Sequence, residues 1–186
     1  MAAKIKVDQI ETVDGSGTIA LQNQLSGMTT ASLPTVTTDK LGTGAVVQVA
    51  MSGTGQGATT STSQTFADSA IFINFTPTSS SNKVLVSFSV SVYFYGSQSA
   101  LRGGIQLKRV IGGVATVVWN SQNFTELCQV RGTPAEVNMV VSGVYLDSPN
   151  TTAQTEYRIQ LAAHEGTFKT NSTNYGSHIV CQEIKG

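Results

Sequence analysis

The stretch Lys83-Val84-Leu85-Val86-Ser87-Phe88-Ser89-Val90-Ser91-Val92-Tyr93-Phe94-Tyr95 decides the fold. Val84, Val86, Phe88, Val90, Val92 and Phe94 fall on one face, and Leu85, Ser87, Ser89, Ser91, Tyr93 and Tyr95 fall on the other. Period two held over about twelve residues is the signature of a β-strand with one buried face.

The same rhythm recurs on both sides of it. Upstream, Val46, Val47, Val49 and Met51 form a short run, and Ile71, Ile73 and Phe75 alternate before Pro77. Downstream, Ile105, Leu107 and Val110-Ile111 lead into Gly112-Gly113, and Val114 to Trp119 follow. A two-glycine loop between β-branched runs predicts a hairpin. Val137, Met139, Val141, Gly143 and Tyr145 alternate up to the turn residues Asp147-Ser148-Pro149-Asn150. Tyr157, Ile159, Leu161 and Ala163 form another strand, and the last sets Ile179, Cys181 and Glu183 against Val180, Gln182 and Ile184. About eight strands after residue 45 and no window of helical periodicity predict an all-β chain. An antiparallel β-sandwich of jelly-roll type closes that many strands most simply, with a β-barrel as the alternative.

Residues 1–44 read differently. Two short strands, around Ile5, Val7 and Ile10 and then Ile19 and Leu21, flank a turn at Asp14-Gly15; they are too small to bury a core. Residues 26–44 are poor in large apolar groups and carry Pro34, as an extended connector would. The expected organisation is an extended N-terminal arm over 1–44 and a sandwich head over 45–186. Such an arm is ordered only where something outside its own domain holds it.

Composition narrows the function. The 186 residues hold eleven Lys+Arg and eleven Asp+Glu, a formal net charge of +0. A basic footprint for phosphate neutralisation is missing, so nucleic acid is not an expected partner. No apolar run reaches the roughly 20 residues of a bilayer span, so no membrane partner is expected either. Ser and Thr are the commonest polar residues. They can hydrogen-bond across protein contacts without burying charge.

The motifs that suggest chemistry have plainer readings. Gly53-Thr54-Gly55-Gln56-Gly57-Ala58 matches G-x-G-x-x-A, but Thr59-Thr60-Ser61 is a poor helix start, so a loop is expected rather than a dinucleotide cradle. His164 and His178, the only histidines, have no Gly-x-Ser-x-Gly elbow to serve. Cys128 and Cys181 have no metal-ligand spacing and read as free thiols. Asp68, between Phe66 and Phe72, is the one acid in aromatic surroundings and reads as a turn or strand-edge residue. No catalytic residue, cofactor or metal is therefore expected. Tyr93, Tyr95 and Trp119 could form an exposed host-contact surface for carbohydrate, a second core face or a subunit interface.

Several stretches carry a resemblance. Ile5-Lys6-Val7-Asp8-Gln9-Ile10 with Gly15-Ser16-Gly17-Thr18-Ile19, Phe75-Thr76-Pro77-Thr78-Ser79-Ser80-Ser81-Asn82-Lys83-Val84-Leu85-Val86, Tyr145-Leu146-Asp147-Ser148-Pro149 and Thr155-Glu156-Tyr157-Arg158-Ile159-Gln160-Leu161 resemble virion structural proteins of tailed bacteriophages, of the capsid-decoration or tail-fibre kind. The resemblance implies a homotrimer with a β-sandwich head, located on the outer surface of the virion and assembled in the host cytoplasm. It makes Ile5, Val7, Ile10, Ile19 and Leu21 candidates for capsid anchoring or trimer contacts. The expected partner is a major capsid protein, for which the chain would act as cement. The alternative is a short tail fibre on a tail or baseplate protein that contacts host surface glycan.

Overall fold

Strand β4, Lys83–Tyr95, is the spine of one of two antiparallel sheets. A computed structural model describes residues 37–52, 57–97, 100–120, 128–131, 136–170 and 176–186, with only the backbone of 128–131. The arm residues Ile5, Val7, Ile10, Ile19 and Leu21 lie outside that set.

Around β4 run β1 (Val46–Met51), β2 (Thr59–Ser61) and β3 (Ala67–Phe75) before it, and β5 (Ala100–Ile111), β6 (Val114–Asn120), β7 (Cys128–Arg131), β8 (Glu136–Asp147), β9 (Thr155–Glu165), β10 (Thr167–Thr170) and β11 (His178–Ile184) after it. One edge of β4 pairs with β8, in unbroken register from Val84↔Asp147 to Tyr95↔Glu136. The other edge takes β11 from Lys83 to Ser89 and β10 from Val92 to Tyr95. β1 lies beyond β11, and β2 beyond β10. In the second sheet β9 stands between β3 and β5, whose far edge carries β6 and β7.

Without the three short strands β2, β7 and β10, the orders are β1-β11-β4-β8 and β3-β9-β5-β6. Each sheet draws strands alternately from the two halves of the chain, the double Greek key of a jelly roll. The expected fold class stands, and the head has eleven described strands where about eight are legible. The additional three are of three or four residues each, too short for an alternation to show.

The core lies between the sheets. Val84, Val86, Val90, Val92 and Phe94 of β4 are fully buried, facing Ile71, Leu101, Ile105, Leu107, Ile159 and Leu161 of the opposite sheet. Tight packing explains two glycines. A Cβ on Gly103 would lie 2.9 Å from the rings of Phe94 and Phe168, which stack 4.4 Å apart, and a Cβ on Gly143 would clash with the Cζ edge of the Phe88 ring. Gly112 and Gly113, at φ 56° and 83°, form the β5–β6 hairpin loop, a pair of left-handed residues that a side chain would strain.

Residues 38–44, expected in the arm, are tied to the sandwich. Thr38–Lys40 form a single 3-10 turn. The Lys185 ammonium caps it by donating to the carbonyls of Thr38, Asp39 and Leu41 at 2.9, 3.1 and 2.6 Å. Lys185 also exchanges backbone hydrogen bonds with Gly44 and Ala45.

Candidate interface

The two outer faces of the sandwich have opposite chemistry. Register places Asp68 and Phe72 of β3, Glu156, Arg158 and Gln160 of β9, and Gln106 and Lys108 of β5 on the outer face of the β9 sheet. Arg158 binds Glu156 through two parallel hydrogen bonds of 2.7 and 2.8 Å and lies 4.3 Å from the centre of the Phe72 ring. Lys108 reaches both oxygens of Asp68, at 2.6 and 2.8 Å. Gln160 donates to Asp68 at 2.7 Å and accepts from Gln106 at 2.6 Å. Burial would raise the Asp68 carboxyl, but hydrogen bonds from Lys108 and Gln160 outweigh it and hold the group below its ordinary range. This face is a connected polar ladder suited to water. Asp68, on an edge strand as expected, has its charge engaged by Lys108.

The outer face of the β4 sheet is its opposite. Two rows cross it: Val49–Gln182–Leu85–Leu146 and Met51–Val180–Ser87–Val144, read across β1, β11, β4 and β8. His178, Ser89 and Ser142 continue the face, then Ser91 and Val140. Charge appears only at its ends, with Lys83 at one and Glu136 and Lys169 at the other. Six side chains, Val46, Val49, Met51, Val140, Val144 and Leu146, are 47–62% exposed. An exposed apolar group taken singly is ordinary; here three cluster on β1 and three on β8, at opposite edges of the face, which marks these edges as candidates for interaction.

β8 is also an edge strand, since among the described strands it pairs with β4 alone. Twelve residues without Pro, bulge or interior charge are an open template for another chain, and soluble proteins normally guard such edges. The sequence held a signal for this face: Val140, Val144 and Leu146 interleave with the inward set of β8, so the strand is apolar on both faces, whereas the second face of β4 is rich in serine.

The other candidates are dispersed. Tyr93 and Tyr95 stack with ring centres 5.2 Å apart at the Glu136 end of the outer face of the β4 sheet. A hydrogen bond with Glu136, followed by burial and charge, pushes the Tyr93 phenol up to about 12. Trp119, on β6 of the other sheet, is half-buried and meets Phe88 edge-on at 5.0 Å, so the three aromatics do not share one surface. His164 lies on β9 and His178 on β11, on different sheets. The G-x-G-x-x-A segment continues into strand β2 and has no helix behind it. Cys181 is a buried free thiol.

No protein-family model matches the chain, and no curated protein matches it. Solved structures of infectious bursal disease virus are similar over much of the chain. The VP2 subviral particle is 12% identical, with a TM-score of 0.45, over 83% of this chain and 38% of that one. The Gx strain structure is 14% identical, with a TM-score of 0.41, over 75% of this chain and 32% of that one. The chain therefore spans about two fifths or less of the viral chains it matches.

Proposed function

We propose that the chain is a virion structural protein, a homotrimeric decoration or cement protein on the outer capsid shell of a tailed bacteriophage. The observation that carries this reading is the contrast between the two outer faces of the jelly roll. One is a ladder of ion pairs and hydrogen bonds; the other carries exposed valine, methionine and leucine side chains along its β1 and β8 edges, with charge only at its ends. The sequence resemblance supplies the particle and the trimer. In this reading the arm, through Ile5, Val7, Ile10, Ile19 and Leu21, engages the major capsid protein, and the protein assembles onto the shell in the host cytoplasm.

The mechanism is thermodynamic. A protein that binds the assembled lattice and not its dissociated subunits stabilises the lattice by mass action, and three linked arms raise the effective affinity further. Shells stripped of the protein are expected to rupture at lower temperature than intact shells, and purified protein is expected to restore the difference. Identical rupture temperatures with and without the protein would contradict cementing.

The stacked Tyr93–Tyr95 pair, with Tyr95 38% exposed, favours a second reading in which the head of a short fibre contacts host glycan. Binding of the purified protein to host surface polysaccharide, lost in Tyr95→Ala, is its expected result. Equal retention of both proteins on the polysaccharide, or of neither, counts against it.

A further inference from the structure

We infer that Lys185 is the clasp of a releasable strap: residues 38–45 open from the head without unfolding it, and so set the free length of chain between residues 1–37 and β1.

Lys185 belongs to the head. It follows Ile184, which pairs with Lys83 of β4, and precedes Gly186, whose amide donates to the Asn82 side-chain oxygen at 3.1 Å. A Cβ on Gly186 would clash with the Ser81 carbonyl oxygen, so the chain is pressed against the β3–β4 loop there. From this fixed place five hydrogen bonds reach the strap. The ammonium donates to the carbonyls of Thr38, Asp39 and Leu41. The Gly44 amide donates to the Lys185 carbonyl at 2.8 Å, and the Lys185 amide to the Ala45 carbonyl at 2.9 Å.

The strap buries little of its own. None of residues 38–45 is buried, and a Cβ on Gly42 or Gly44 would meet nothing within 4 Å. A segment with few buried apolar groups and exposed hydrogen bonds opens locally at low free energy. One charged donor serving three carbonyls therefore carries much of the closed state. The opening has a defined end. The β1–β11 register shifts between Val46 and Gln48, and the Gln48 side chain donates to the Glu183 carboxylate at 2.6 Å and to the Thr76 carbonyl at 2.8 Å. The irregularity is the hinge, and the double tie at Gln48 is the stop.

Eight released residues extend to at most roughly 26–29 Å. Tether length governs the effective concentration at which two linked binding elements act. Where residues 1–37 engage the capsid, a closed clasp keeps the tether short and an open one lengthens it. That use rests on the preceding reading; the clasp itself does not.

The test is cleavage of the full chain by trypsin after Lys40, read by the mass of the fragment that begins at Leu41. Cleavage of a transiently opened segment tracks the population of the open form. K185M, which keeps an unbranched side chain and removes the ammonium, is expected to be cut there at least about tenfold faster than wild type, the factor of one hydrogen bond to a charged group. Its melting temperature is expected to stay within about 3 °C of wild type. Equal cleavage rates overturn the clasp. A much larger fall in melting temperature overturns the strap as a separable unit, because strap and head then unfold together. Hydrogen exchange on the wild type gives a reading that holds where K185M does not fold. The hydrogen-bonded amides of Leu41, Gly44 and Ala45 are expected to exchange at least about 100-fold faster than those of Val86 and Phe88 in the centre of β4. Equal exchange overturns the strap. None of these results depends on the virion, so the clasp and the decoration reading fail separately.

Discussion

Tyr157 and Asp147 join the two sheets through a buried hydrogen bond. The phenol of Tyr157, on β9, donates to the Asp147 carboxylate, on β8, at 2.7 Å, and Arg109 of β5 donates to the other oxygen at 2.7 Å. Tyr157 is fully buried and Asp147 is 3% exposed. Burial first, then the bond to Asp147, pushes the phenol above its ordinary range, so it stays a donor. Tyr157→Phe removes one hydrogen bond to a charged group, worth about 1.5–3 kcal/mol. Asp147→Asn leaves Arg109 without its carboxylate and costs about 3–5 kcal/mol. At about 2–4 °C per kcal/mol for a chain of this size, thermal unfolding should show the larger fall in Asp147→Asn. The reverse order would contradict the bridge.

Glu183 gives the head an acid-sensitive point. It is fully buried, and accepts from Asn82 at 2.7 Å, from the amide and hydroxyl of Thr78 at 2.7 and 2.9 Å, and from Gln48 at 2.6 Å. Burial alone would raise its carboxyl, but these donors outweigh it and hold the group below its ordinary value of 4.5. A carboxylate depressed in the folded state contributes stability that is present above 4.5 and is lost as pH falls through the lowered value. Asp68 and Glu156 shift the same way. Melting temperature measured against pH should therefore fall on acidification below 4.5 in the wild type, and less steeply in Glu183→Gln. Parallel curves would remove Glu183 as a source of the acid loss.

Cys181 should be chemically silent. Burial, with a smaller contribution from the charge of Asp147, pushes its thiol up to about 12, so almost no thiolate exists near neutrality. In a Cys128→Ser background, an aromatic disulfide reagent at pH 8 is expected to label nothing until the chain is unfolded. Rapid labelling of the native protein would place Cys181 outside the core.

Gly143 sets the spacing between β8 and the core ring beneath it. Because a Cβ there would clash with the Cζ edge of the Phe88 ring, and Phe88 is 3% exposed and packed against Trp119, Gly143→Ala displaces Phe88 and with it Trp119. The expected cost is about 1–3 kcal/mol, with a change in Trp119 fluorescence. Unchanged stability and emission would show that β8 moves freely over the core.

The fold was legible where one face is buried and the other is small and polar, as in β4, because period two then stands alone. Gly112-Gly113 was legible because its two positive φ angles favour glycine. β2, β7 and β10 escaped because three or four residues carry no period. The interface was half legible. The alternation of Val137, Met139 and Val141 gave the β8 strand, but Val140, Val144 and Leu146 lie on the outer face, and only the pairing with β4 and β1 shows that they share it with Val49 and Met51. Glu183 stood in the apolar register of Ile179 and Cys181. That spacing marked it as inward-facing, but its donors come from residues 48 and 78–82, which only the folded chain brings to it.

The most direct test of the decoration reading is the copy number of this protein per purified virion, measured against the major capsid protein. Decoration of the shell predicts on the order of hundreds of copies, as lattice-wide occupancy by trimers requires. A few tens of copies or fewer would place the protein on a tail appendage and contradict the cementing role.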